Sequence, residues 1–227
     1  VQLGWAQLAL GNLLLEMAED LPAARAAYGR ALAVLRAAGD RAGEANVLIC
    51  LAQSLRRGGE YEPMMLRYQE ALQILREVDD PLNLFMVEVA LGKVRLRAGD
   101  LAGARPHAER ALALAGAAHF AQARKDAFDL AGEVALAGGD VPAALALFTG
   151  AVEQARAQGA PVGLAMALHH LARARQAAGE TAAARAAATE SVEIFTALGR
   201  VERDEVGALL RELSATEKAA IKRPPEE

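Results

Sequence analysis

The chain has 227 residues, 53% of them hydrophobic but only 4% aromatic. Its apolar content is therefore mostly Ala and Leu, which are strong helix formers, while the β-branched and aromatic clusters of strands are scarce. That much apolar surface excludes a disordered body. A net charge of −4, with Lys and Arg interspersed among Asp and Glu, leaves no basic block for direct nucleic-acid binding. No uncharged apolar run reaches the roughly eighteen residues of a membrane span, and there is no signal-peptide pattern.

In chain order, the opening "VQLGWAQLAL" is already in helical pattern and lacks an initiator Met. This start is expected to be a cut from a larger protein. A first turn follows at Asp20, and from there a period of forty governs the sequence. Acids return at Glu60, Asp100, Asp140 and Glu180, each behind a small residue apart from Asp20. Four residues after each acid stand Ala24, Met64, Ala104, Ala144 and Ala184. Eight after stand Tyr28, Tyr68, Ala108, Phe148 and Ala188, and eleven after stand Ala31, Ala71, Ala111, Ala151 and Ser191. These offsets are helical. Before the turns, Leu51, Leu91, Ala131 and Leu171 are followed by the small residues Ala52, Gly92, Gly132 and Ala172, which let a second helix lie close. In the first unit "LGN" (Leu10 to Asn12) comes one residue early, which reads either as an extra residue or as a fraying start.

The punctuation agrees. Each turn acid suits a helix N-cap, its carboxylate accepting from unpaired N–H groups. Pro22 and Pro142 fall in the first turn of a second helix, and Pro81 and Pro161 open a first helix, where a missing N–H costs nothing. Pro63 also lies early in its helix. The weakest stop is "AGAAHF" (residues 115–120), where the register still requires a break. Residues 201–213 ("VERDEVGALLREL") read as a closing helix, polar outward at Glu202, Arg203, Asp204 and Glu205. The expected organisation is five units, 1–40, 41–80, 81–120, 121–160 and 161–200, then a capping helix over 201–215 and a loose tail over 216–227.

The stretches "LGKVRLRAGDLAGA" (Leu91 to Ala104), "AGEVALAGGDVPAA" (Ala131 to Ala144) and "YQEALQIL" (Tyr68 to Leu75) resemble the tetratricopeptide repeat. The resemblance extends over about 200 residues, with a period of forty where the family's usual unit is about thirty-four, so the helices are longer. It is nearest in style to long-helix repeats of bacterial regulatory proteins. It implies an all-α fold, a right-handed α-solenoid of five helix-turn-helix repeats plus a C-terminal capping helix, with first helices lining a concave face. By family register that face takes Ile49, Gln53, Arg56 and Arg57, then Val89, Lys93, Leu96 and Arg97, then Asp129 and Glu133, then His169 and Arg173. Met86 and Met166 stand at its rim. Family members that clamp a C-terminal carboxylate need a Lys and an Arg where this chain has Met86 and Ala90, so chaperone-tail binding is disfavoured.

Two readings of these columns stand side by side. One is a ladder of ion pairs, Lys93–Glu133–Arg173, that fixes stacking. The other is a peptide groove in which Arg56, Arg57, Lys93 and Arg97 attract a carboxylate while Ile49, Val89 and Leu96 receive an apolar side chain.

Catalytic chemistry finds no foothold. There is no phosphate-binding loop, dinucleotide fingerprint or H-E-x-x-H. His169 and His170 point different ways on a helix, and Asp129 with His169 reads as an ordinary hydrogen bond across units. His107 and His119 read as surface or junction residues, and Trp5 and the five Phe as packing. Cys50, the single cysteine, sits beside Leu48, Ile49 and Leu51 and reads as a buried, inert thiol compatible with a reducing, cytoplasmic setting. No cofactor, metal or catalytic residue is expected. The expected function is a non-enzymatic module binding a peptide or partner helix, within a larger bacterial regulatory protein. Two alternatives are a sensor segment of a signalling ATPase or transcriptional activator, and a self-associating scaffold built on the Ala-rich fifth unit, with a homodimer as its form.

Overall fold

The computed structural model describes residues 1–117 and 121–221, with side chains at 1–116 and 124–215. Among the described residues there are eleven helices and no strand. In chain order they are α1 (Gln2–Met17), α2 (Leu21–Ala37), α3 (Arg41–Arg57), α4 (Tyr61–Glu77), α5 (Pro81–Arg97), α6 (Leu101–Ala117), α7 (Ala121–Ala137), α8 (Val141–Ala157), α9 (Pro161–Ala177), α10 (Thr181–Ala197) and α11 (Arg203–Ile221). None is long and apolar enough to cross a membrane.

The forty-residue period resolves into two helices of equal length. Each of α2 to α10 has 17 residues. One turn serves both inside and between repeats. Its middle residue is left-handed, as at Gly39 (φ 68°), Gly59 (78°), Gly99 (76°), Gly139 (79°) and Gly179 (78°). Glycine adopts that conformation without a Cβ clash. The residue after it sends its backbone N–H back five positions, as Asp40 does to Leu35 and Asp140 to Ala135.

The first turn differs. Asp20 bonds Leu14, six positions back, and Glu19 holds the left-handed site at φ 51°. Of the two readings of the early "LGN", an extra residue and a fraying start, the longer turn supports the extra residue and places it between α1 and α2. Position n of α1 corresponds to n + 41 in α3, so Gly11 matches Ala52.

The turn acids cap as expected only where they are Asp. The carboxylates of Asp20, Asp100 and Asp140 accept from the N–H groups of Ala23, Gly103 and Ala143 at 2.9, 2.8 and 3.1 Å. Asp40 and Asp80 do the same for Gly43 and Asn83 between repeats. Glu60 and Glu180 make no such bond. One more methylene carries the carboxylate past the third N–H, and Glu60 reaches Arg25 instead at 2.6 Å.

The chain forms two compact units, Val1–Ala98 and the residues from Gly99 onward. In the first, Leu8, Leu15, Tyr28, Leu35 and Val47 form one core, and Leu48, Met64, Tyr68, Leu75, Val87 and Leu91 form another. In the second, Phe148, Leu168, Leu171, Phe195, Val206 and Leu213 lie in one core. Each large buried aliphatic side chain in such a core contributes about 1.5–3 kcal/mol. The small residues before the turns work as read. A Cβ on Gly132 would stand 2.6 Å from the Phe148 ring, and one on Gly11 would run into Tyr28.

The capping helix buries Val206, Leu209 and Leu213 and leaves Arg203, Asp204 and Glu205 in solvent. It continues to Ile221, past the boundary expected at 215, so the tail expected to be loose from 216 begins as helix. Residues 222–227, and residues 118–120 in the expected break with His119 among them, lie outside the described residues. Ala184, Ala187 and Ala188 of the Ala-rich fifth unit are buried in the unit's own core.

Candidate peptide-binding cleft

The first unit contains a cleft of about 350 Å³ between α3 and α5, with α4 behind it. Ile49, Gln53 and Arg56 come from α3. Met86, Val89, Lys93 and Arg97 come from α5. Six of the seven stand in the columns that family register assigns to the inward face, and Met86 stands at the rim; helical spacing of three and four residues puts them on one side of each helix. Val87, Ala90 and Val94 complete the α5 wall, and Tyr68 of α4 forms the floor. The sequence reading missed Tyr68 as a site residue, since it sits in the aromatic column that packs second helices. It is 3% exposed, and burial raises its phenol pKa above the usual value, with opposition from Arg56.

The cleft is chemically divided along its length. Ile49, Met86 and Val89 lie at mid-helix or before it. Lys93, Arg97 and Arg56 crowd the C-terminal ends of α5 and α3, where cations also suit the negative end of the helix dipole. Within the first unit none of these three cations is paired with a carboxylate. An apolar wall thus leads to three cations that have no carboxylate partner within their unit.

Two expected members are elsewhere. Arg57 lies one step of about 100° around α3 from Arg56 and faces α1. Its guanidinium donates to the Leu15 carbonyl at 3.2 Å and pairs with Glu16. Leu96 is half-buried and outside the cleft lining.

In the second unit the expected columns have different surroundings. Asp129 is buried and accepts from Lys125, one turn earlier on α7, at 2.7 Å. Burial alone would lower the Lys125 pKa, but Asp129 and Asp126 hold it above its usual value. Asp129 meets His170, not His169: His170 Nδ1 lies 3.6 Å from Asp129, and its Nε2 lies 3.3 Å from Glu133. His170 also packs on Phe148 with ring centroids 5.3 Å apart. His169 turns toward α11, with Nε2 3.6 Å from Glu205. Burial first, then the neighbouring His170, pushes its pKa down to about 4. Met166 and Arg173 are exposed, as is Met86 at the cleft of the first unit. Cys50 is half-buried, and burial pushes its thiol up to about 11, far from a reactive thiolate.

No protein-family model matches the chain, and no curated protein matches it in sequence. Solved structures do match in shape. The putative kinesin light chain TPR-like repeats of Podosopora anserina superpose with a TM-score of 0.69 at 15% identity, over 86% of this chain and 95% of that one. A signal transduction ATPase with numerous domains from Pyrococcus horikoshii, which carries a tetratricopeptide repeat sensor, gives 0.69 at 14% identity. It covers 96% of this chain and 37% of its own. A Rap protein complexed with competence and sporulation factor gives 0.62 at 14% identity, over 96% and 64%.

Proposed function

For a chain with the tetratricopeptide-repeat fold, we propose a non-enzymatic role in holding a protein segment, with the α3–α5 cleft as its seat. The observation that carries this reading is the division of the cleft: Ile49, Met86 and Val89 offer apolar contact, and Arg56, Lys93 and Arg97 offer positive charge without an acidic partner in their unit. The ligand is a peptide or exposed partner segment bearing an acidic side chain or terminal carboxylate beside a large apolar residue. Such a pair fixes orientation through charge and affinity through burial. The Rap structure with a bound factor supports this use of the fold. The sensor within the longer signalling ATPase supports a second reading, in which the module is one part of a larger regulatory protein and reports occupancy of the cleft to other domains.

A displayed library of random peptides selected on the purified chain tests the reading. Selected peptides should be enriched in Asp or Glu adjacent to Leu, Ile, Met or Phe. Their affinity should fall at least about tenfold in Arg56→Glu with Arg97→Glu and weaken with salt. Arg57→Glu, outside the cleft, should leave affinity unchanged. Peptides without acidic residues, or affinities indifferent to the double reversal, would overturn the assignment.

A further inference from the structure

The groove between α3 and α5 continues past its apolar wall. Asn46 stands one turn before Ile49 on α3, and Asn83 one turn before Met86 on α5, so both extend faces that line the cleft. Asn83 Nδ2 donates to Asn46 Oδ1 at 3.1 Å, which joins the two faces. It also donates to Asp80 Oδ2 at 2.7 Å, while Asp80 Oδ1 accepts from the Asn83 backbone N–H at 3.0 Å.

These bonds fix which way both amides point. A carboxylate only accepts, so the Asn83 NH2 group turns to Asp80 and its oxygen turns away. The same NH2 group meets the Asn46 oxygen, which leaves the Asn46 NH2 group facing out. Neither Asn83 Oδ1 nor Asn46 Nδ2 bonds another described residue, and neither is enclosed. The pair therefore presents one acceptor and one donor side by side. Stacking of the repeats does not demand it. The positions corresponding to Asn46 hold Met86, Asp126 and Met166, and those corresponding to Asn83 include Gly43 and Gly163.

We propose that the Asn46–Asn83 pair is a main-chain subsite of the cleft, where one peptide group of the bound segment donates its N–H to Asn83 Oδ1 and accepts from Asn46 Nδ2. This rests on the cleft as the seat of a protein segment and adds the ligand's conformation and register. A donor and an acceptor together match a peptide group. A helical segment uses its own N–H and C=O groups in internal bonds, so the ligand is extended. From Asn46 to Arg56, α3 rises about 15 Å, the reach of about five residues of extended chain. The held peptide group thus lies about five residues from the acidic group at Arg56, Lys93 and Arg97, with the apolar side chain between them.

The test uses a peptide from the library selection, resynthesised with each main-chain amide replaced in turn by an ester. An ester lacks the N–H donor and has a weaker carbonyl acceptor. At one position, about five residues from the acidic anchor, it should lower affinity by about three- to tenfold, the worth of one net hydrogen bond. Asn46→Ala and Asn83→Ala should each lower the affinity of the all-amide peptide by a similar factor. In either variant the ester at that position should cost nothing further, a coupling that a mere tie between helices would not produce. The fold should persist in both, because Asp80 caps α5 through the backbone N–H of Asn83. Esters tolerated at every position overturn the proposal, as does an ester loss that survives in both variants. Dependence on a Gln or Asn side chain of the peptide, with every ester tolerated, gives the pair to a side-chain amide and overturns it too. In each of these cases Arg56→Glu with Arg97→Glu still reports on the cleft separately. A selection that yields no peptide defeats the cleft and this subsite together.

Discussion

At the residue scale, one methylene decides what a turn acid does. Asp140 reaches the Ala143 N–H at 3.1 Å, whereas Glu180 makes no side-chain cap bond and lies 4.0 Å from Arg175. Both positions read alike in sequence, as acids behind a glycine. Their energetic weights differ. Asp140→Ala should lower stability by about 1 kcal/mol, the usual cost of losing an N-cap. Glu180→Ala should cost a few tenths at most, because an exposed ion pair contributes little. Urea denaturation midpoints compare the two directly, and equal losses would show that the caps are not what distinguishes them.

At the scale of elements, α7, α9 and α11 are joined by groups that titrate. His169 is held neutral by burial and by His170, with its pKa pushed down to about 4 from 6.5. A depressed histidine pKa means that the unfolded chain binds a proton more readily than the folded one. Stability from this residue is therefore complete above about pH 6.5 and is lost as pH falls toward 4, by up to about 3 kcal/mol. His169→Gln should flatten that part of the pH profile of unfolding. A variant profile parallel to the original between pH 4 and 6.5 would place the titration elsewhere. The Lys125–Asp129 pair, one turn apart and buried, explains why the column assigned to an inward acid has no free acid to offer: burying a carboxylate requires a partner.

For the whole molecule, each helix packs mainly on its sequence neighbours, so stability is a sum of local interfaces. Leu171 lies in the core of the second unit and Leu91 in that of the first. Leu171→Ala should cost about 2–5 kcal/mol and speed hydrogen exchange in α8, α9 and α10, leaving α2, α3 and α4 protected. Uniform loss of protection across both sets would show one cooperative unit in place of local ones.

Much of this was legible in sequence because repetition is a one-dimensional signal. Equivalent residues forty apart gave the helix pairs, the close approach at Gly132 and the turn positions, whereas the partner of Gly132, the Phe148 ring, and the place of the extra residue came from the structure. The register of the repeat family that the chain resembles also put Ile49, Gln53, Arg56, Val89, Lys93 and Arg97 in inward columns and Met86 at the rim, and all seven line one cleft. What it could not give was direction about an axis at single-residue precision. Arg56 and Arg57 are adjacent in sequence, yet one lines the cleft and the other binds α1. His170 takes the place beside Asp129 that was expected of His169 for the same reason. Nor does periodicity say what a column will meet. Glu44 and Leu84 stand forty apart in one column, yet only packing in three dimensions shows that the first pairs with Arg36 while the second enters an apolar core with Tyr68 and Leu72.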